Sequence, residues 1–172
     1  MIIGSSFVSR TEAFCERVDR ALCLPSKPRW CGKPGLTLHR TKAMLDKHLS
    51  PEGKGILILH VGANSIGAVS SREWMRQLQE VVYYCRLRFR HYKIVWSDMV
   101  RRNKWRHLPD DESERLRKRL QQRARALFYE EKGGVIRHHA LNRDDSMLSQ
   151  DNVHLNLMGQ EWFLYDIWSY FQ

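Results

Sequence analysis

No run of apolar residues in this sequence approaches the ~20 needed to span a bilayer as a helix. Met1-Ile2-Ile3 has neither the basic start nor the apolar length of a signal peptide, so the expected location is intracellular, cytoplasmic or nuclear. Cysteine is scarce. Cys15, Cys23, Cys31 and Cys85 form no C-x-x-C pair and no regular spacing, which argues against a disulfide framework or a metal role and leaves free, mostly buried thiols as the expectation. Internal repeats, linker-like stretches and recognised nucleic-acid-binding motifs are also missing. Acidic residues are in deficit, 19 Asp and Glu against 29 Lys and Arg, for a formal charge of +10. Between Arg86 and Arg125 stand 14 Lys and Arg but only 5 Asp and Glu, so a polyanion partner has to be weighed.

What is present is the composition of a folded domain. Hydrophobic residues make up 42% and charged residues 28% of 172, enough to bury one core and too apolar for wholesale disorder. The expectation is a single domain over 1–172. A buried strand beginning at residue 2 fits a domain excised from a longer protein.

Strand and helix patterns alternate along the chain. Ile2 and Ile3 begin a buried strand that ends in Gly4-Ser5-Ser6. Thr11 is then positioned to cap a helix carrying Phe14, Val18, Ala21 and Leu22 before Pro25. A short strand is expected near Arg29 to Cys31, and a helix from Thr37 to about His48. Gly55 to Val61 is a continuous apolar run of the kind a parallel sheet covered on both faces requires. A long amphipathic helix from Ser71 to about Phe89 and a strand from Tyr92 to Trp96 follow. Asp110 or Asp111 opens a helix with Leu116, Leu120, Ala124, Leu127 and Phe128 inward. Val135 to His138 is a short strand, and Leu157 to Phe171 a last helix whose Trp162, Tyr165, Trp168 and Phe171 are expected to close it on the sheet. This order predicts an α/β sandwich with a mostly parallel sheet of about five strands, with the carboxyl ends of the strands along one rim.

The polar punctuation falls on that rim. Ser5-Ser6 follows the first strand, Gly62-Ala63-Asn64 the central one, and Asp151-Asn152-Val153-His154 the last. An aspartate three residues before a histidine in a polar turn can hold one imidazole nitrogen and leave the other to accept a proton. The hydroxyl that such a base would activate has to come from elsewhere, and Ser5-Ser6 at the far end of the chain is the best source.

These residues resemble the blocks of the SGNH (GDSL-type) hydrolases. Gly4-Ser5-Ser6 is similar to their Gly-Asp-Ser block, Gly35 to the second-block glycine, Gly62-Ala63-Asn64-Ser65 to Gly-x-Asn-Asp, and Asp151-Asn152-Val153-His154 to Asp-x-x-His. The resemblance runs over essentially the whole chain. It implies a three-layer α/β/α sandwich with a flavodoxin-like sheet, and a serine esterase that uses no cofactor and no metal and acts on a small-molecule or carrier-linked ester. It also implies Ser6 as nucleophile, His154 as general base and Asp151 as its orienting carboxylate. The Ser6 and Gly35 backbone N–H groups and the Asn64 amide would form the oxyanion hole. Ser5 and Ser65 stand where the family usually has aspartates, so a catalytically decayed module serving as a scaffold is the second reading. A closer resemblance, carried by Trp96-Ser97-Asp98-Met99-Val100-Arg101-Arg102 and Trp105-Arg106, is to SGNH-like domains of vertebrate tyrosine-recombinase retrotransposons.

The alternative to an esterase is a module that binds nucleic acid or a protein through the basic segment 86–125, with Arg101, Arg102, Lys104 and Arg106 as candidate contacts. Beside it stand plainer readings. The arginines from Arg115 to Arg125 share a helix with Glu112 and Glu114 and read first as a solvated face, and Phe89, Tyr92, Trp96 and Trp105 read first as core. His138 and His139, adjacent on a predicted strand, would point to opposite faces and make a poor ligand pair. His60 reads as a satisfied structural histidine or as a support behind the site.

Overall fold

The computed structural model describes residues 1–18 and 28–172. Five strands, β1 (Ile2–Gly4), β2 (Trp30–Gly32), β3 (Gly55–His60), β4 (Tyr92–Ser97) and β5 (Gly134–Ile136), form one sheet in the order β2-β1-β3-β4-β5. Every neighbouring pair is parallel, with Ile2 opposite both Trp30 and Ile58, and Leu59 opposite both Ile3 and Trp96. Five helices cover the sheet: α1 (Ser6–Arg17), α2 (Leu38–His48), α3 (Ser71–Arg88), α4 (Asp110–Glu130) and α5 (Leu157–Ser169). No described helix is long and apolar enough to cross a membrane.

The strands are apolar on both sides because both sides are covered. Alternation along each strand divides the core into two layers. Ile3, Leu57, Leu59, Ile94 and Trp96 pack with residues of α2, α3 and α4, whereas Ile2, Ile58, Val95 and Ile136 pack with Phe7 and Val8 of α1 and Phe163 and Ile167 of α5. The strand order reverses direction at β1. The chain moves outward to β2, then returns across β1 to place β3 on its other side, so the crevice above β1 and β3 is the topological switch point.

Several sequence expectations change. Helix α1 starts at Ser6, directly off the strand, and Thr11 lies inside it, fully buried. Its hydroxyl is not a cap: it sits 2.8 Å from the Phe7 carbonyl and 2.6 Å from Gln160 Oε1, tying α1 to α5. Ala21, Leu22, Cys23 and Pro25 lie outside the described residues. On α5 the helical period turns Phe163, Leu164 and Ile167 inward, which leaves Trp162 and Tyr165 exposed rather than closing the helix on the sheet. On α4, Arg117 is not part of a solvated face. It is 1% exposed, donates to both Glu114 oxygens (2.7 and 2.6 Å) and donates to the Met99 carbonyl at 2.6 Å. Such a charge is tolerated inside because every side of the guanidinium finds an acceptor. β5 ends at Ile136, so His138 and His139 lie beyond the strand, the first buried and the second exposed. Phe89 and Trp96 are core residues, as their apolar context suggests.

Helix α1 can lie this close to β2 because residue 32 is glycine. An ideal Cβ there would meet the Ser9 backbone nitrogen at 2.2 Å, a contact with main chain that cannot swing aside. Gly32→Ala is therefore expected to destabilise the fold by ~1–3 kcal/mol in urea unfolding, as over-packing typically does. An unchanged midpoint would show that α1 can move off the sheet.

Candidate active site

Ser6 is the first residue of α1, at the carboxyl end of β1. Its backbone N–H is one of the orphan donors that every helix start leaves, in the region where the helix dipole favours negative charge. Ser5, which precedes it, is buried at 4% exposure, and its carbonyl accepts the Val8 and Ser9 N–H groups, so the turn from strand to helix is closed by main chain. The hydroxyl of Ser6 is 2.8 Å from His154 Nε2, a contact between residues 148 positions apart.

The far side of the imidazole is held by a small hydrogen-bonded turn. Asp151 Oδ2 is 2.6 Å from His154 Nδ1, and its Oδ1 accepts from the Ser149 hydroxyl and from the Val153 and His154 backbone N–H groups at 2.8–2.9 Å. Asn152 makes the turn possible by adopting φ +57°, a left-handed conformation that asparagine tolerates. Burial alone would raise the pKa of Asp151. The donated hydrogen bonds, led by the His154 N–H and imidazole, outweigh it and hold the carboxyl far below its usual range. Arg10 lies 3.5 Å from Oδ2 on the solvent side. With the carboxylate ionised on Nδ1, the proton of a neutral ring belongs on that nitrogen and Nε2 is left as an acceptor facing Ser6. His154 itself is lowered from 6.5, by burial first and by the charges of Arg10 and Arg102, against the opposing pull of Asp151. It is therefore an unprotonated base at neutral pH.

The remaining wall comes from two loops. Gly35 has φ +72°, with open space where a Cβ would stand, and Lys33 N–H bonds to the Gly4 carbonyl at 2.9 Å, keeping its loop against the end of β1. Asn64 sits on a short 3-10 turn after Gly62 and donates to the Leu36 carbonyl at 3.1 Å, while its Oδ1 accepts from Arg102 Nη1 at 3.1 Å. Because arginine can only donate, this pair fixes which end of the amide is oxygen. One Nδ2 hydrogen is spent on Leu36, and the amide keeps a second. Ser65 is buried beside it and accepts the Leu38 N–H at 3.0 Å, so the hydroxyl standing where the Gly-x-Asn-Asp block that it resembles carries an aspartate caps α2 and couples the two loops. Ser6, Gly35, Asn64 and His154 all line one cavity of about 600 Å³.

The basic candidates divide. Arg102 is not on an outer surface: it is 8% exposed, with its guanidinium 5.2 Å above the Phe7 ring and 5.5 Å from that of Trp105. Arg101 is paired with Asp145 at 3.1 Å. Lys104 and Arg106 are exposed and line the same cavity as Ser6. The role of Arg102 next to Asn64 is the feature sequence reasoning missed. The signal was its place two residues after Met99-Val100 and three before Trp105, an arginine bracketed by residues that bury it. Asp98, in the segment carrying the closer resemblance, is fully buried and accepts a forked contact from Arg125 Nε at 2.9 and 3.1 Å. It braces α4 and does not reach the cavity lining.

A second Ser–His–Asp row runs behind the first. Ser97 Oγ is 2.8 Å from His138 Nε2, His138 Nδ1 is 2.8 Å from Asp166 Oδ2, and His60 Nδ1 reaches the same hydroxyl at 3.0 Å. The bonding pattern matches that of Ser6, but Ser97 and His138 are both at 0% exposure, and His60 and His138 contact Phe163. This row is the polar seam that fixes α5 to the ends of β3 and β4, and burial pushes His60 well below its ordinary value, so it stays neutral. Among the described residues no group of histidine, cysteine and carboxylate side chains is arranged to hold a metal.

No protein-family model and no curated protein sequence matches the chain. Solved structures do. A Streptococcus pneumoniae protein solved as a candidate platelet activating factor superposes with TM-score 0.79 at 16% identity, over 99% of this chain and 82% of that one. A GDSL-like lipase from Bacteroides thetaiotaomicron gives 0.74 at 12% identity, covering 96% and 83%. A carbohydrate esterase family 3 protein from Talaromyces cellulolyticus gives 0.68 at 13%, covering 98% and 93%. The superpositions take in nearly the whole five-stranded parallel sheet with its flanking helices, and the chain has the SGNH (GDSL-type) hydrolase fold.

Proposed function

We propose that the protein is a serine esterase that hydrolyses an O-acyl ester through Ser6, His154 and Asp151. The observation that carries this reading is the continuous line Ser6 Oγ–His154 Nε2–Asp151 Oδ2, at 2.8 and 2.6 Å, opening into a cavity. A serine hydroxyl is a poor nucleophile until a base within reach takes its proton. In the proposed sequence Ser6 Oγ attacks the ester carbonyl as its proton passes to His154 Nε2, and Asp151 stabilises the imidazolium that results. The carbonyl oxygen becomes an oxyanion that accepts from the Ser6 and Gly35 N–H groups and the second hydrogen of the Asn64 amide. Collapse expels the alkoxide, which takes the proton from His154 and leaves an acyl-serine. Water, deprotonated by the same imidazole, attacks the acyl carbon and frees the acid and Ser6. Ser5 and Ser65 do not diminish this reading, since neither is a reacting group and both are built into the loops that carry the donors.

Three outcomes follow for 4-nitrophenyl acetate hydrolysis by purified protein. Ser6→Ala should reduce kcat/KM to the solvent background, and equal rates for mutant and parent would eliminate the reading. Asn64→Ala should cost ~10²- to 10³-fold, mostly in kcat, as loss of one oxyanion donor typically does. The pH profile of kcat/KM should rise with a midpoint below 6.5, because His154 must be unprotonated to act and its proton is held less tightly than in a free histidine. A midpoint above 6.5 would mean that the base is another group.

A further inference from the structure

The cations around Ser6 are not balanced. The cavity is lined by Arg10, Arg102, Lys104 and Arg106, and among the described residues no carboxylate lines it. Arg10 is paired with Asp151. Lys104 and Arg106 have no ion pair among the described residues, and both are exposed at the mouth. Arg102 is the informative one. A guanidinium taken out of water ordinarily meets a carboxylate, as Arg125 meets Asp98 and Arg117 meets Glu114 in this same molecule. Among the described residues Arg102 donates only to the neutral oxygen of Asn64, at 3.1 Å through Nη1, and its Nε is buried with no acceptor. Two aromatic faces, Phe7 and Trp105, hold the planar group in place, and Trp105 is itself fixed by its ring N–H on the Arg102 carbonyl at 3.0 Å and by Asp110 on its backbone N–H at 2.8 Å. Burial, then the nearby Arg106, push Arg102 down to about 10 against the opposing charge of Asp151, which still leaves it charged at neutral pH. A fixed, charged fork with unused donors, lining the same cavity as the nucleophile and hydrogen-bonded to no carboxylate among the described residues, is the arrangement that recognises a carboxylate or phosphate.

We propose that Arg102, supported by Lys104 and Arg106, forms an anion-binding subsite beside Ser6, and that the ester substrate carries a carboxylate or phosphate that this subsite engages. The inference rests on the esterase reading for the word substrate, but the anion site itself does not. An anion there also sets specificity by exclusion, because a neutral ester leaves the buried guanidinium unpaired.

Two pairs of esters locate the anion. Mono-4-nitrophenyl glutarate against 4-nitrophenyl butyrate places it on the acyl group, and 4-acetoxyphenyl phosphate against 4-methylphenyl acetate places it on the alcohol. In at least one pair the anionic member should be favoured by tenfold or more in kcat/KM. The preference should collapse toward one in Arg102→Met and be partly kept in Arg102→Lys. Independently, inorganic phosphate and glutarate should bind Ser6→Ala saturably by calorimetry, and that binding should be lost when Arg102→Met is added. Should Arg102→Met not fold, the exposed pair Lys104→Met with Arg106→Gln, which should weaken the same binding severalfold, takes its place. Anion binding without hydrolysis of any ester would sink the esterase reading and leave the subsite standing. Hydrolysis of the neutral esters with ratios near one and no anion binding would overturn the subsite alone. Anion binding that Arg102→Met does not change would also overturn it.

Discussion

The parallel pairing of β1 with β3 is the constraint on which the site depends. It aligns Gly4 with His60, so the chain leaves both strands at one level on one rim, and the residues that follow, Ser6 on one side and Asn64 on the other, face a common crevice. The return of the chain across β1 to form β3 makes that crevice the point where the topology reverses. His154 reaches the same place from the other end of the sequence because the loop before α5 is folded by the four-way use of the Asp151 carboxylate. Sheet register sets the floor, and one carboxylate sets the base.

Two similar rows of serine, histidine and aspartate stand in one domain, one open and one sealed. Both have hydrogen bonds of 2.8 Å from serine oxygen to imidazole. Ser97 is sealed between His60, His138 and the Phe163 ring, where it satisfies buried polar groups and locks α5 to the sheet. Ser6 opens into a cavity, with helix-end donors beside it. Access to the cavity, more than hydrogen-bond geometry, distinguishes them.

Much of this was legible in the sequence. The apolar runs from Ile2 and from Gly55 read as buried strands, and the Gly and Asn after them read as rim turns, because local patterning and turn chemistry act over a few residues. Ser6, Asn64, Asp151 and His154 follow from that logic together with the resemblance to the SGNH blocks, and Gly35 from the resemblance alone; the fold brings all but Asp151, which stands behind His154, to one cavity lining. What was not legible depends on contacts between distant segments. Arg102 reads as a surface cation, since charged residues are rarely buried, and only the meeting of Phe7, Asn64 and Trp105 around it makes it interior. Arg117 was misread for the same reason. Thr11 looked like a cap because caps and buried hydroxyls share a residue type, and the aromatics of α5 looked inward because size suggests burial while the helical period decides it.

The central claim is that Ser6 is a nucleophile activated by His154. A fluorophosphonate probe, which reacts fastest with a serine activated in this way, followed by peptide mass spectrometry, tests it most directly. The account predicts one adduct, on the peptide carrying Ser6, formed rapidly at neutral pH and lost in His154→Ala. No adduct, or an adduct whose rate is unchanged without His154, would contradict it.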